Sequence, residues 1–250
     1  MTHTVAILTG ATRGLGAALA REMARPNTYL ITLARQTDGE LQAYSKAQGA
    51  QLQQVQVDLS DPIAAAMAAR RVCESLPCDA ARYLLINNAG TIQPVAAATA
   101  LTDSASIAAA FNLNVAAVMM LTAHFLAAVT AIAADRRILN ISSGAGRNAR
   151  AGWSVYCATK AALDMYTRVV KQEQAASGVR IVALAPGMVD TDMQAIIRSS
   201  DPGSFPSLSQ FRALHASGMP SPTDVAVRIL AYLNRADFGT TEIDDIRNYE

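Results

Sequence analysis

Val5-Ala-Ile-Leu-Thr9-Gly10-Ala11-Thr12-Arg13-Gly14-Leu15-Gly16-Ala17-Ala18-Leu19-Ala20 decides how this chain folds. Val5 to Thr9 reads as a short buried strand, and the alanine-rich stretch after Gly16 as a helix. The chain must turn sharply between them. Gly10, Gly14 and Gly16 allow positive φ and let the backbone approach a pyrophosphate closely. The N-terminus of the following helix offers free N–H groups and a partial positive charge to such an anion. Thr12, Arg13 and Leu15 lie in the same turn and join the glycines as candidate cofactor contacts.

Outward from this turn, short apolar runs alternate with helical stretches. Strands are expected at Tyr29–Leu33, Leu52–Val57, Tyr83–Ile86, Arg137–Ile141 and Val179–Leu184. Helices are expected at Gly16–Arg25, Ile63–Leu76, Ser104–Ala133, Val155–Ser177 and Thr223–Leu233. Strand–helix repetition with nearly continuous apolar strands implies parallel strands covered on both faces. The expected fold is α/β: a single-domain Rossmann fold, with a doubly wound parallel sheet of about seven strands and helices on both sides. The whole chain, 1–250, reads as one domain. Residues 1–190 would form the cofactor-binding core, about 191–222 a substrate loop, and 223–250 a C-terminal helix and strand. Arg198–Pro222, rich in proline and serine, reads as a mobile lid over the substrate.

Composition excludes several classes. The chain has 250 residues, 21 Lys+Arg against 20 Asp+Glu, and a formal net charge of +1. That balance gives no electrostatic case for nucleic acid or an anionic membrane surface. With 51% hydrophobic and 16% charged residues the chain is not disordered. Cys73, Cys78 and Cys157 have neither disulfide-framework nor metal-cluster spacing, so reduced thiols in a cytoplasmic protein, with no metal, are expected. No signal peptide is legible. Val115–Ala134 is apolar enough to span a membrane, but a helix covered on its flanks by protein is the expectation, and it hints at self-association.

The end of the second strand selects the dinucleotide. An NAD site wants an acid there for the ribose hydroxyls. The sequence instead reads Leu33-Ala34-Arg35-Gln36. The guanidinium of Arg35, helped by Arg13, suits the 2′-phosphate of NADP(H).

Tyr156-Cys157-Ala158-Thr159-Lys160 puts a phenol and an ammonium on one helical face. With seven Tyr and three Lys in the chain, this spacing is an uncommon accident. The cation is expected to lower the phenol's pKa and make Tyr156 a usable proton donor to a carbonyl receiving hydride. Ser143, after the fifth strand, lies where α/β sheets bind ligands and could hold that carbonyl. The plainer alternative is that Ser142 or Ser143 caps the next turn. Trp153 and Met193 could wall a substrate pocket or simply pack.

Together these residues resemble the classical short-chain dehydrogenase/reductase family. The matching motifs are Thr9-Gly10-x-x-x-Gly14-x-Gly16, Asp58-Leu59, Asn87-Asn88-Ala89-Gly90, Asn114, Ser143, Tyr156-x-x-x-Lys160 and Pro186-Gly187, in the family's order along nearly the whole chain. The resemblance implies that Asp58 and Leu59 flank the adenine and that Asn87, Ala89 and Gly90 line the cofactor cleft. It implies that Asn114 holds a water in a proton relay with Lys160, and that Lys160 also binds the nicotinamide ribose. Pro186, Gly187, Val189 and Thr191 would contact the nicotinamide end. It implies a homodimer or homotetramer through the 104–134 and 155–177 helices.

A narrower resemblance joins Gly152-Trp153-x-x-Tyr156-Cys157-Ala158-x-Lys160 and Ala185-Pro186-Gly187-x-x-Asp190-Thr191-Asp192-Met193 to sepiapterin reductases and the related benzil reductases. It implies NADPH-dependent reduction of a small-molecule ketone beside another carbonyl, with Asp244 as the acid that anchors the substrate. Two other readings stay open: a 3-ketoacyl-type reductase, and a catalytically silent NADP(H) sensor on the same fold.

Overall fold

The computed structural model describes residues 3–249. Its strands are β1 (Thr4–Thr9), β2 (Thr28–Ala34), β3 (Gln51–Gln56), β4 (Arg82–Asn87), β5 (Asp135–Ile141), β6 (Arg180–Ala185) and β7 (Ile243–Asp245). They form one parallel sheet in the order β3-β2-β1-β4-β5-β6-β7. The helices are α1 (Gly14–Met23), α2 (Gly39–Ala47), α3 (Pro62–Glu74), α4 (Ser104–Phe111), α5 (Ala117–Val129), α6 (Ser154–Glu173), α7 (Asp192–Arg198), α8 (Leu208–Ala216) and α9 (Pro222–Asn234).

The central strands are apolar on both sides because both sides are covered. Along β1, Ala6 and Leu8 join the layer beneath α1 and α9. Val5 and Ile7 join the layer beneath α3 and α5. Residues two apart share a face of a strand, so one apolar run feeds both layers. The alanines have a packing use: Ala65, Ala68 and Ala69 on α3 let it lie close to Leu121 and Phe125 of α5.

Sheet order places the site. The chain leaves β1 for β2 on one side and later sets β4 on the other. This reversal opens a crevice at the carboxyl ends of β1 and β4. Helix starts around it are capped by local acids. The carboxylate of Asp61 accepts from the N–H groups of Ile63 and Ala64 at 2.9 and 3.1 Å, with Pro62 at the first position of α3.

Three expectations change. Ser104–Ala133 is not one uniform helix: a π-helical segment, Asn112–Ala116, separates α4 from α5. Arg198–Pro222 is not an irregular loop, because it contains α8. Phe205, Leu208 and Phe211 recur every three residues and are all buried, giving this segment an apolar face. The apolar stretch Ser104–Val129 has the length and composition of a membrane span. One face, with Ala117, Leu121, Phe125 and Val129, packs beneath the sheet. Phe111 and Met119 remain exposed, so this chain covers it on one flank only.

At the opposite end of the sheet, Asp135 locks three strands. It accepts from Arg82 of β4 at 2.7 Å, its β5 neighbour Arg137 at 2.9 Å and Arg180 of β6 at 2.7 Å. Burial pushes the carboxyl up, but the three guanidinium groups outweigh it and hold it at about 2. A depressed folded-state value stabilises above the unfolded pKa of about 3.9 and is lost as pH falls towards the folded one. The ion-pair hub should therefore contribute about 2 kcal/mol at neutral pH and fade between about pH 4 and 2. Urea unfolding of Asp135→Asn against wild type should show this gap at pH 7 and its closure in acid. A gap independent of pH would reject the account.

Candidate active site

The glycine turn forms a cradle that side chains would fill. Gly10 has φ +71°, and a Cβ on it would come 2.9 Å from the Ala89 Cα. A Cβ on Gly16 would come 1.9 Å from the Gly10 carbonyl oxygen. Asn88 ties the turn to the end of β4. Its Nδ2 donates to the carbonyls of Thr9 and Gly10 at 3.0 and 3.2 Å. The Thr9 hydroxyl accepts from the N–H groups of Asn88 and Ala89, both at 2.9 Å. Thr9 and Asn88 stand in the matching motifs, but their part in tying the turn to β4 was not anticipated; their signal was position, at the facing ends of β1 and β4. No side chain caps α1, and its first turn holds no acid. Open N–H groups, a bare glycine cradle and a positive helix end fit a dinucleotide pyrophosphate. Thr12 is half-buried and Leu15, in the first turn of α1, is buried in the core, so the turn's backbone forms the cradle.

Arg35 is exposed just past β2. Glutamines of the edge strand hold this loop: Gln56 donates to the Arg35 carbonyl at 3.1 Å, and Gln54 exchanges bonds with the Asp38 backbone at 2.7 and 2.9 Å. Asp58 lies within the field of Arg35, and its carboxyl sits below the ordinary range chiefly through bonds from Ser60. Leu59 is buried against the α3 layer, which leaves Asp58 as the exposed member of that pair. Arg13 reaches Asp192 at the start of α7, 3.8 Å away, with both side chains mostly exposed. Thr191, beside it, approaches Gly14 from across the cleft: a Cβ on Gly14 would lie 3.1 Å from its methyl. Gly187 has φ +72° in the turn after β6, Pro186 is half-buried, and Val189 is buried beneath α9.

Tyr156, Lys160 and Ser143 meet at the end of β5. The Lys160 Nζ donates to the Ile141 carbonyl at 2.8 Å and lies 5.7 Å from the Tyr156 ring centroid. The Ser143 hydroxyl accepts from the Ala145 N–H at 3.1 Å, capping the next turn, and it lies on the side of the Tyr156 phenol, whose pKa it lowers. One expectation is reversed. Burial pushes the phenol up to about 12, and Ser143 only partly offsets this. Burial also lowers the Lys160 ammonium to about 8, against the pull of Asp164. At neutral pH the pair is a protonated phenol beside a cation, a donor ready for reduction. The backbone of Gly90 passes close by: a Cβ there would lie 3.2 Å from Asn114 Oδ1 and 3.8 Å from Lys160 Nζ.

Asn114 lies in the π segment. Its Oδ1 accepts from the Thr91 N–H at 2.8 Å, and its Nδ2 donates to the Thr91 carbonyl at 2.8 Å and to Thr159 Oγ1 at 3.0 Å. The side chain thus staples the loop after β4 to α6.

Two expected roles are corrected. Asn87 faces away from the cleft. It is 2% exposed and donates to Asn140 at 2.8 Å, and Asn140 in turn donates to Thr167 at 2.9 Å. Strand alternation turns its side chain towards α5 and α6. Asp244 is no free substrate anchor. It is 7% exposed and accepts from Tyr232 at 2.9 Å, Tyr249 at 2.6 Å and Asn248 at 3.3 Å. Its place on β7 points it at α9, where it holds the C-terminal segment down.

Trp153 and Met193 do sit with Tyr156. Trp153 meets the Tyr156 ring edge-on at 5.5 Å and stacks on Phe205 at 4.9 Å. Ile92, Ile197, Leu208 and Phe211 complete the cluster, and Met188 and Met193 pack against it. Phe205 and Phe211 were not anticipated, because loop composition masked their spacing.

Comparison with known proteins agrees with this geometry. The family described as short chain dehydrogenase matches residues 4–202. A benzil reductase ((S)-benzoin forming) of Bacillus cereus is 34% identical over 241 residues, covering 95% of this chain and 96% of that protein. A sepiapterin reductase of Bos taurus is 33% identical over 222 residues, covering 84% and 82%. Among solved structures, a short chain dehydrogenase from Burkholderia cenocepacia in complex with NADP superposes with a TM-score of 0.75 at 25% identity, covering 96% and 94%. With its parallel sheet, its glycine turn and Tyr156, Lys160 and Ser143 gathered at one strand end, this chain belongs to the short-chain dehydrogenase/reductase family of NAD(P)(H)-dependent oxidoreductases.

Proposed function

We propose that the protein is an NADPH-dependent carbonyl reductase acting on a ketone beside a second carbonyl. The observation that carries this reading is the Tyr156 phenol gathered with Ser143 and Lys160 at the end of β5, against the apolar wall of Trp153, Ile92 and Met193. NADPH, when bound, supplies hydride from its nicotinamide C4 to the carbonyl carbon. Ser143 holds the carbonyl oxygen. Tyr156 gives that oxygen its proton, so the ketone leaves as an alcohol. The Lys160 ammonium steadies the phenolate until a proton returns by way of Asn114 and solvent. An aromatic and thioether wall suits an apolar diketone such as benzil, the substrate class in the relatives' names.

The test is nicotinamide absorbance against benzil, sepiapterin, a 3-ketoester and a simple aldehyde, with NADPH and with NADH. Turnover of the dicarbonyls with NADPH supports the proposal. Preference for the 3-ketoester moves the assignment to the ketoacyl class, and tight NADPH binding without any turnover moves it to a sensor.

Arg35 is assigned to the 2′-phosphate, with Arg13 as its helper. Arg35→Ala should raise the KM for NADPH about tenfold to hundredfold and leave that for NADH nearly unchanged. Equal losses would reject the assignment. The exposed Phe111, Met119, Met165 and Val169 of α4, α5 and α6 are proposed to cover their counterparts in a second copy. Light scattering at micromolar concentration should give at least twice the chain's 26.3 kDa. A monomer would leave that face to another partner.

A further inference from the structure

Successive residues at the end of β5 are gripped from successive turns of α6. The Ser143 hydroxyl meets the Tyr156 phenol. The Ile141 carbonyl accepts from Lys160. Between them in sequence, the Ser142 hydroxyl donates to Asp164 Oδ1. Tyr156, Lys160 and Asp164 are spaced four apart and share one helical face. The proton-transfer scheme uses the first two and leaves Asp164 without a part.

Asp164 is costly where it stands. It is 5% exposed, and its Oδ2 has no hydrogen-bond partner among the described residues. The nearest cation to that oxygen is Arg147, at 3.6 Å. Gly146 keeps the space open: a Cβ there would lie 2.9 Å from the Lys160 carbonyl and 3.0 Å from Asp164 Oδ2. An under-bonded buried carboxylate is a poor way to fill a core. It makes sense where its charge is used.

We propose that Asp164 is a positioning residue for the proton-transfer pair: its negative charge keeps Lys160 charged, and its bond to Ser142 fixes the strand end that aims Ser143 at Tyr156. The proposal rests on Tyr156 being the proton donor. The groups around it define its electrostatics. Lys160 is faced by Tyr156 and Asp164 from its own helix, by the Ile141 carbonyl from β5, and by uncharged Gly90 from the loop after β4. Burial pushes the Asp164 carboxyl up, and the bond from Ser142, Arg147 in the turn after β5, and Lys160 and Arg168 on α6 pull it back down. Of these, Asp164 is the group that opposes the loss of the Lys160 proton caused by burial.

The experiment is the pH profile of kcat for carbonyl reduction in wild type, Asp164→Asn, Asp164→Glu, Ser142→Ala and Tyr156→Phe. Reduction needs the charged ammonium, so the wild-type rate should fall as pH rises through about 8. Asp164→Asn keeps an acceptor for Ser142 and removes the charge. Its alkaline limb should move about one pH unit towards acid, and Asp164→Glu should restore it. Ser142→Ala keeps the charge and removes the anchor. Its limb should stay in place while kcat falls about fivefold and the KM for the carbonyl rises. Should Asp164→Asn not fold, Asp164→Leu carries the same charge arm with its space filled.

A limb at the wild-type pH in the uncharged variant, or wild-type kinetics in Ser142→Ala, overturns the proposal. If Tyr156→Phe is inactive while the Asp164 variants behave as wild type, the proposal falls alone. If Tyr156→Phe retains turnover, the proton-donor assignment falls and takes the proposal with it.

Discussion

Tyr156→Phe should reduce its ketone at least about a thousandfold more slowly than wild type while binding NADPH almost as tightly. Three features make this separation clean. The ring packs edge-on against Trp153, and phenylalanine keeps that contact. Ser143, on the hydroxyl's side, still caps Ala145 when the phenol is gone. The substitution should therefore change stability by only about 1 kcal/mol. What disappears is the proton. A phenol pushed up to about 12 is fully protonated at neutral pH, so every molecule starts as the acid. Hydride transfer makes an alkoxide, which is more basic still, and the Lys160 ammonium stabilises the phenolate left behind. Reduction should thus be insensitive to the phenol's own titration near neutrality. Alcohol oxidation needs the phenolate and should rise with pH. Substantial turnover by Tyr156→Phe would end the assignment.

Gly16→Ala should lose NADP(H) binding by about a hundredfold and lower stability by about 3 kcal/mol, roughly 6–12 °C in Tm for a chain of this size. The new methyl would meet the Gly10 carbonyl oxygen at 1.9 Å and Asn88 Nδ2 at 2.5 Å. The first is backbone and cannot swing away. Moving it opens the turn and breaks the bonds from Asn88 to Thr9 and Gly10. Those bonds join β1 to β4 at the crevice, so cofactor cradle and sheet suffer together. Gly39→Ala is the control: it meets nothing within 4 Å, and its φ is not positive. It should be neutral or slightly stabilising. A Gly16→Ala protein with wild-type Tm and NADPH affinity would show that the turn is not the cofactor's seat.

Much of this site was legible because its parts are local. Gly10, Gly14 and Gly16 lie within one turn, and Tyr156 and Lys160 within one helical step. Short-range geometry places such groups wherever the rest of the chain goes. Asn87 and Asp244 were misjudged for the opposite reason. Each is a polar strand residue whose side-chain partners come from other elements: Asn140 on β5 for one, Tyr232 on α9 and Tyr249 beyond β7 for the other. The segment Arg198–Pro222 was misread because proline and serine signal a loop, whereas Phe205, Leu208 and Phe211 find their partner, Trp153, only across the fold.

The sequence by itself determined the parallel α/β architecture, the cofactor turn and the tyrosine–lysine pair, since periodicity and short spacing settle those. Tertiary structure alone decided which way the pKa values of that pair move. Burial, a sum over everything packed around the crevice, pushes Tyr156 up and Lys160 down, which no spacing could reveal. It also decided that Asp164 stands one turn below Lys160 with its carboxylate on Ser142, because only the packing of α6 against β5 brings residues 142 and 164 together.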